Sequence, residues 1–334
     1  MKYIITERDV GLASLFFQVI NAINRCEQHN IEPIVYFKEQ CVYYAGVVND
    51  RDNVWEYYFE PVITGLSSNS IPGIIKAEIA DIYATRDVKK LNNTVKTNLS
   101  DGYMMSCHYG NHRKMQSSLI VPPHLVPEVY EDGHRERSFD IIDRYFKPRD
   151  IIKDKILQFK DSLGDIPVLG VHVRGTDALV NRAEKWRKNF HIKNYIDCIN
   201  IFLEKYPTGK ALVASDDSKL FDMLKNEFTD DIVSYNSNRQ STDDLGISGE
   251  STRGNAMMPT YLCNDKLAAA QNGEDAVVEM YLLSQCKYLV HNASGFAHFS
   301  LLLNPELDHI DSQRPGGFET TLKFKSMVND NSQV

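Results

Sequence analysis

Val168-Leu169-Gly170-Val171-His172-Val173-Arg174-Gly175-Thr176-Asp177 reads as a buried strand that runs straight into a polar turn. The stretch Val168 to Val173 is apolar or small at every position except His172, and Gly164-Asp165-Ile166-Pro167 punctuates the chain just before it. A continuous apolar run bounded by turn residues fits a strand covered on both faces, the kind found in parallel sheets. The segments around it alternate in the same sense. A helix over 151–163, with Ile152, Ile156 and Phe159 on its apolar side, precedes it. Downstream come a helix over 192–205, a strand over 211–214, a helix over 219–228, a strand over 232–235, a helix over 276–285 and a strand over 288–291. Strands joined by helical crossovers predict a doubly wound parallel α/β domain, whose ligands bind beyond the carboxyl ends of the strands.

The first half opens in a similar way. A strand over 3–6, a turn with Gly11, a helix carrying Leu15, Phe16, Val19, Ile20 and Ile23, and a strand over 34–37 make a βαβ unit. The region 67–127 mixes Gly, Asn, Pro and charge with short apolar pieces and reads as loops and helices of that domain. The expected organisation is therefore α/β throughout, with an amino-terminal domain over 1–165 and a carboxyl-terminal domain over 166–328. A chain of 334 residues is long enough for two cores.

Bulk properties exclude some classes. A net charge of −8 argues against a non-specific nucleic-acid binder, which needs excess Lys and Arg. The six cysteines show no C-x-x-C spacing, so zinc and redox motifs have no support and free buried thiols in a reducing compartment are expected. The start of the chain does not read as a signal peptide, because Glu7, Arg8 and Asp9 interrupt a short apolar run. No stretch approaches the roughly 18 apolar residues of a membrane helix. The expectation is a soluble cytoplasmic protein, peripheral at a membrane if it acts there.

Three strand ends hold the candidate chemistry. At the first, His172 and Arg174 share one face, Arg174 offers a planar fork for phosphate oxygens, and Gly175 lets backbone pass close to a ligand. The competing reading pairs Arg174 with Asp177 or another carboxylate. At the second, Ser215-Asp216-Asp217 either meets a ligand or caps the next helix. At the third, Asn292-Ala293-Ser294-Gly295-Phe296 opens a helix whose free N–H groups suit an anion, Ser294 being the natural cap. Glu279 lies among Val277, Val278, Leu282 and Leu283, where a carboxylate needs a partner: an ion pair, or the adjacent N–H donors of a guanine base. Asp50-Arg51-Asp52 follows an apolar run and raises a metal-binding alternative, weighed against a solvated turn.

Gly170 to Asp177 resembles the G-V-H-V-R-R-T-D motif of the α1,6-fucosyltransferases and the related rhizobial nodulation fucosyltransferases. Phe190-His191-Ile192-Lys193-Asn194-Tyr195, Val213-Ala214-Ser215-Asp216-Asp217, Val278 to Gln285, Tyr288-Leu289-Val290 and Ala293-Ser294-Gly295 resemble further segments of that family in the same order. The likeness spans about residues 150 to 310; the amino-terminal half is similar only through the glycine turn and helix near Gly11.

The resemblance implies a GT-B-like pair of Rossmann-like domains facing a cleft, with the first domain on the acceptor side. It implies GDP-fucose as donor, an oligosaccharide or glycoconjugate acceptor, inversion at the anomeric carbon, and no metal or other cofactor. By carry-over, His172 and Glu279 hold guanine, Arg174 holds the β-phosphate, and Ser294, Gly295 and Phe296 line the diphosphate. Gly11, Gly175, Ser215 and Asp216 join the donor-binding set.

The departures are local. Gly175 and Ala178 stand where the family has arginine and lysine, and the segment 179–189 is longer and rich in charge. The family's catalytic carboxylate has no clean match: Glu184 is the first candidate for general base and Asp177 the second. The alternatives are a transferase for another GDP-linked or nucleotide-linked sugar, and a non-catalytic nucleotide-sugar or carbohydrate binder.

Overall fold

The computed structural model describes residues 1–7, 11–84, 97–106, 120–121, 132–175, 190–235, 237, 239, 265–313 and 317–330. The chain divides into two compact units. One comprises Met1–Ile152 with Tyr261–Glu274, the other Lys153–Thr260 with Asp275–Val334.

The first unit contains β1 (Lys2–Thr6), α1 (Leu12–Gln28), β2 (Glu32–Tyr36), α2 (Val54–Tyr58), α3 (Gly73–Ala84), β3 (Thr97–Asn98), β4 (Tyr103–Ser106) and α4 (Asp132–Tyr145). Its sheet runs β2-β1-β4-β3, with β1 parallel to both neighbours and β3 antiparallel to β4. Leu12, Leu15, Phe16, Val19, Ile20 and Ile23 of α1 recur at helical spacing and are all buried. Phe16 meets the rings of Trp55, Phe59 and Phe146, and Trp55 stacks on Phe59 with centroids 4.6 Å apart. Ile4 and Ile34 of the sheet pack with Ile71, Ile75 and Ile79 in a second cluster.

One reading is corrected in this unit, and the turn expected at Asp50-Arg51-Asp52 is present. The region 67–127 contributes strands β3 and β4 as well as helix. Tyr103, Met104 and Met105 are all buried, so β4 lacks the alternation that marks a half-exposed strand. Asp50-Arg51-Asp52 forms a tight turn: Asn49 and Asp50 take left-handed φ values of 49° and 61°, and Val48 bridges Arg51. Asp52 accepts from Tyr44 Oη at 2.7 Å and pairs with Lys38 Nζ at 2.5 Å.

The second unit begins within α5 (Asp150–Leu163). It continues through β5 (Val168–Val173), α6 (Ile192–Lys205), β6 (Lys210–Ser215), α7 (Ser218–Phe228) and β7 (Ile232–Val233). Then follow α8 (Lys266–Ser284), which contributes to both units, β8 (Tyr288–His291), α9 (Gly295–Leu303), β9 (His309–Asp311) and α10 (Gly317–Asp330). The α/β class expected from the sequence is borne out, and this sheet is wholly parallel, in the order β7-β6-β5-β8-β9. Leu169, Val171 and Val173 of β5 pack with Tyr195, Ile199, Phe202, Val213, Val290 and Phe324. The strand β9 and helix α10 extend the domain beyond the elements read from the sequence, and α10 packs against α6.

The chain travels from β5 to β6 and β7 on one side, then returns to place β8 and β9 on the other. The order therefore reverses between β5 and β8. Such a switch point opens a crevice at the carboxyl ends of the strands, where doubly wound sheets take their ligands.

Candidate functional site

Arg174 and Asn292 leave the carboxyl ends of β5 and β8, the two strands that flank the switch point. Asn292 is buried and bridges the two chain segments. Its Oδ1 accepts from the Arg174 N–H at 2.7 Å, and its Nδ2 donates to the Arg174 carbonyl at 2.9 Å. These bonds satisfy backbone groups that no longer have a strand partner.

The Arg174 guanidinium pairs with Asp216, whose other carboxylate oxygen accepts the Gly175 N–H at 2.8 Å. Asp216 thus fixes both the side chain and the turn behind it. The competing sequence reading, an arginine paired with a carboxylate, holds among the described residues for Asp216; Asp177 lies outside them. Asp217 does the capping, accepting from the Leu220 N–H at 3.2 Å. Ser215 Oγ donates to the Val173 carbonyl at 2.8 Å and accepts from the Asp217 N–H at 3.1 Å, so it ties β6 to β5.

Gly175 is buried against this cap. A Cβ there would lie 2.4 Å from Asp217 Cβ. The glycine that replaces the family's second arginine is therefore required by its own surroundings.

At the third strand end, Ser294 caps α9 through the Ala297 N–H at 3.1 Å. Its Oγ also lies 2.8 Å from His172 Nε2. The His172 ring stacks on Phe296, with centroids 4.7 Å apart and planes inclined by 8°. His172 is buried, and that burial, with help from His291 and Arg174, pushes its pKa down to about 3. The imidazole is thus neutral at working pH and holds the first turn of α9 in place. Free N–H groups at that helix start favour an anion.

Glu279 projects from α8 and is buried. Its Oε1 accepts from Ser237 Oγ at 2.8 Å. Burial raises its pKa to about 7, while the Ser237 bond and the Arg239 charge pull it down. Sequence reasoning missed Ser237 and Arg239, which follow β7 in a polar segment without periodicity. Asn292 was read as the start of the third strand end, from its place directly after an apolar strand, but not as the bridge to Arg174.

The structure therefore brings together Arg174, Gly175, Ser215 and Asp216 at one edge, His172, Ser294 and Phe296 at the next, and Glu279 with Ser237. Gly295 is the first residue of α9. Gly11 sits in the first unit as the N-cap of α1, its carbonyl accepting from Ser14 and Leu15. A Cβ at Gly11 would meet nothing within 4 Å. Asp177 and Glu184 both lie outside the described residues. Among the described residues, no helix is long and apolar enough to cross a membrane.

Comparison with protein-family models gives no match, and neither does comparison with curated protein sequences. Solved structures do match. A NodZ α1,6-fucosyltransferase soaked with GDP-fucose aligns over 94% of this chain and 97% of its own, with a TM-score of 0.53 and 15% identity. Fucosyltransferase NodZ from Bradyrhizobium aligns over 92% and 95%, with a TM-score of 0.51 and 15% identity. NodZ co-crystallised with GDP aligns over 92% and 94%, with a TM-score of 0.50 and 16% identity. At these identities the likeness shows the fold: this chain is similar to the NodZ α1,6-fucosyltransferase over nearly the full length of both and has its α/β fold.

Proposed function

We propose that this protein is a glycosyltransferase that moves fucose from GDP-fucose to a hydroxyl of a glycan acceptor, with inversion at the anomeric carbon and without a metal ion. The observation that carries the reading is the arrangement at the β5–β8 switch point, where an arginine positioned by Asp216 stands at the end of β5 and a helix capped by Ser294 starts just after β8. Its support is twofold: the fold is that of a protein solved with GDP and with GDP-fucose, and the motif residues stand at the strand ends where the fold takes ligands.

In this reading the β-phosphate lies on Arg174, and the N–H groups at the start of α9 face the diphosphate. As the bond between the sugar's C1 and the β-phosphate oxygen breaks, GDP leaves with the electron pair. Arg174 and the helix start meet the charge that develops on it, which is the role a metal ion fills elsewhere. Glu279 accepts from the adjacent N–H donors of guanine. The resemblance implies His172 on guanine; with its Nε2 taken by Ser294 and its ring stacked on Phe296, we assign it instead to supporting the diphosphate through the start of α9. The acceptor oxygen attacks C1 from the opposite face, and its proton passes to a base, for which Glu184 is the first candidate and Asp177 the second. Asp177, three residues after Arg174, is the better organiser, since pairing with an arginine lowers a carboxylate's basicity.

The test is turnover of GDP-fucose against a glycan panel, with GDP release and the anomeric configuration of the product followed by NMR. Glu184→Gln should lower turnover about 10²–10⁴-fold while GDP affinity holds. Retention of GDP-fucose with no transfer to any acceptor would favour the alternative, a nucleotide-sugar binder. Faster turnover of another GDP-sugar would reassign the donor.

A further inference from the structure

Arg239 occupies an unusual position beside Glu279. Its guanidinium lies over the Phe221 ring of α7, 4.0 Å from the centroid. Nη1 donates to the Ser237 carbonyl at 3.2 Å and Nη2 to the Tyr235 carbonyl at 3.3 Å. The same Ser237 donates its hydroxyl to Glu279. One short segment after β7 therefore tethers a buried acceptor, the Glu279 carboxylate, and a planar donor, the Arg239 fork. Both lie near the carboxyl end of β7, on the ligand side of the sheet.

The donor is incompletely used. Arg239 Nε is buried and has no hydrogen-bond partner among the described residues. A buried N–H left unpaired is costly, so an acceptor that reaches Nε on ligand binding is strongly favoured. Stacking on Phe221 and two carbonyl bonds hold the guanidinium plane, which fixes the direction of that N–H.

The two groups together have the polarity of one nucleobase edge. Guanine presents N1–H and the 2-amino group as donors, and beside them O6 and N7 as acceptors. A carboxylate matches the donors and an arginine N–H matches the acceptors. Adenine carries an amino donor where guanine has O6, so it would set a donor against Arg239. A pyrimidine has no N7 edge. We infer that Arg239 is a specificity-determining residue that reads the O6/N7 edge of guanine, with Phe221 and Ser237 fixing its plane. This rests on the reading of Glu279 as guanine's carboxylate partner.

The experiment is calorimetric titration of wild type, Arg239→Ala and Arg239→Lys with GDP, ADP and UDP. Wild type should prefer GDP to both others by tenfold or more. Arg239→Ala should lose at least tenfold for GDP with UDP unchanged, and Arg239→Lys should recover only part of the loss. Unchanged GDP affinity and unchanged GDP:UDP ratio in folded Arg239→Ala would overturn the inference. Wild-type protein tests it from the ligand side, whatever the variants do: 7-deaza-GDP or 6-thio-GDP should bind at least tenfold more weakly than GDP. Equal binding of both analogues would overturn it as well. A wild type that binds all three nucleotides equally, or none, would instead remove the guanine reading on which the inference stands.

Discussion

His172 Nε2 and Ser294 Oγ lie 2.8 Å apart, joining the last turn of a buried strand to the cap of the helix beside it. The bond makes the start of α9 depend on a strand more than a hundred residues earlier. His172→Ala would remove this bond and the stacking on Phe296, and would leave a cavity. We expect a stability loss of about 2–4 kcal/mol. GDP affinity should fall, with the GDP:UDP preference retained. Chemical denaturation and nucleotide titration of the variant check both; loss of that preference would mean His172 contacts the base itself.

Arg174→Ala should leave the fold intact and abolish transfer. One donor to a leaving group contributes about 3–4 kcal/mol in the transition state, or roughly 10²–10³ in rate. Arg174→Lys should also be poor, because a point charge cannot replace the fork that Asp216 orients. Steady-state kinetics of both variants decide the matter, and near-wild-type rates in either would leave Arg174 as a structural partner of Asp216.

Glu279 sets a pH dependence. Burial lifts its pKa from 4.5 to about 7. In the proposed reading guanine's donors require the ionised carboxylate, so below pH 7 binding expels a proton. GDP affinity should be flat above pH 8 and fall by up to about tenfold per unit below 7. In the free protein the sign is opposite. The folded state holds its proton more tightly than the unfolded chain, so stability declines as pH rises from 4.5 through 7. Titrations at pH 6, 7 and 8 suffice, and GDP binding that tightens on acidification would exclude this role.

Gly175→Arg restores the residue found in the resembling family and should fail. Its Cβ would sit 2.4 Å from Asp217 Cβ, and the neighbour is a helix cap. A forced fit of this kind costs about 1–3 kcal/mol, and loss of the cap about 1 kcal/mol more. Thermal denaturation should show the loss already with Gly175→Ala. A variant as stable as wild type would mean the β5 turn relaxes freely.

Much of the second unit was legible in the sequence. β5, α6 and β8 have the bounds expected for them, because each is a strong periodic or apolar run flanked by turn residues. Weaker signals failed for identifiable reasons. The helix expected from residue 276 begins at Lys266. Asn272 and Gly273 obscured its first part; Gly273 is there because a Cβ would approach Tyr58 Oη to 2.2 Å, a packing reason with no local signature. β4 and β9 are too short and too buried to alternate. In the site, the chemistry-bearing residue types could be read, but their partners could not. Asp216 stands 42 positions from Arg174, and Ser237 the same distance from Glu279, separations that only the sheet order closes.

The second unit is proposed to bind a guanine nucleotide through its β-phosphate and base without a metal ion. Thermal unfolding with GDP, UDP and ADP, each with and without chelator, tests it most directly. GDP at 100 times its dissociation constant should add about 2.7 kcal/mol of stability, UDP and ADP much less, and chelator should change nothing. Equal stabilisation by all three nucleotides, or a GDP effect that vanishes with chelator, would rule out this mode of binding.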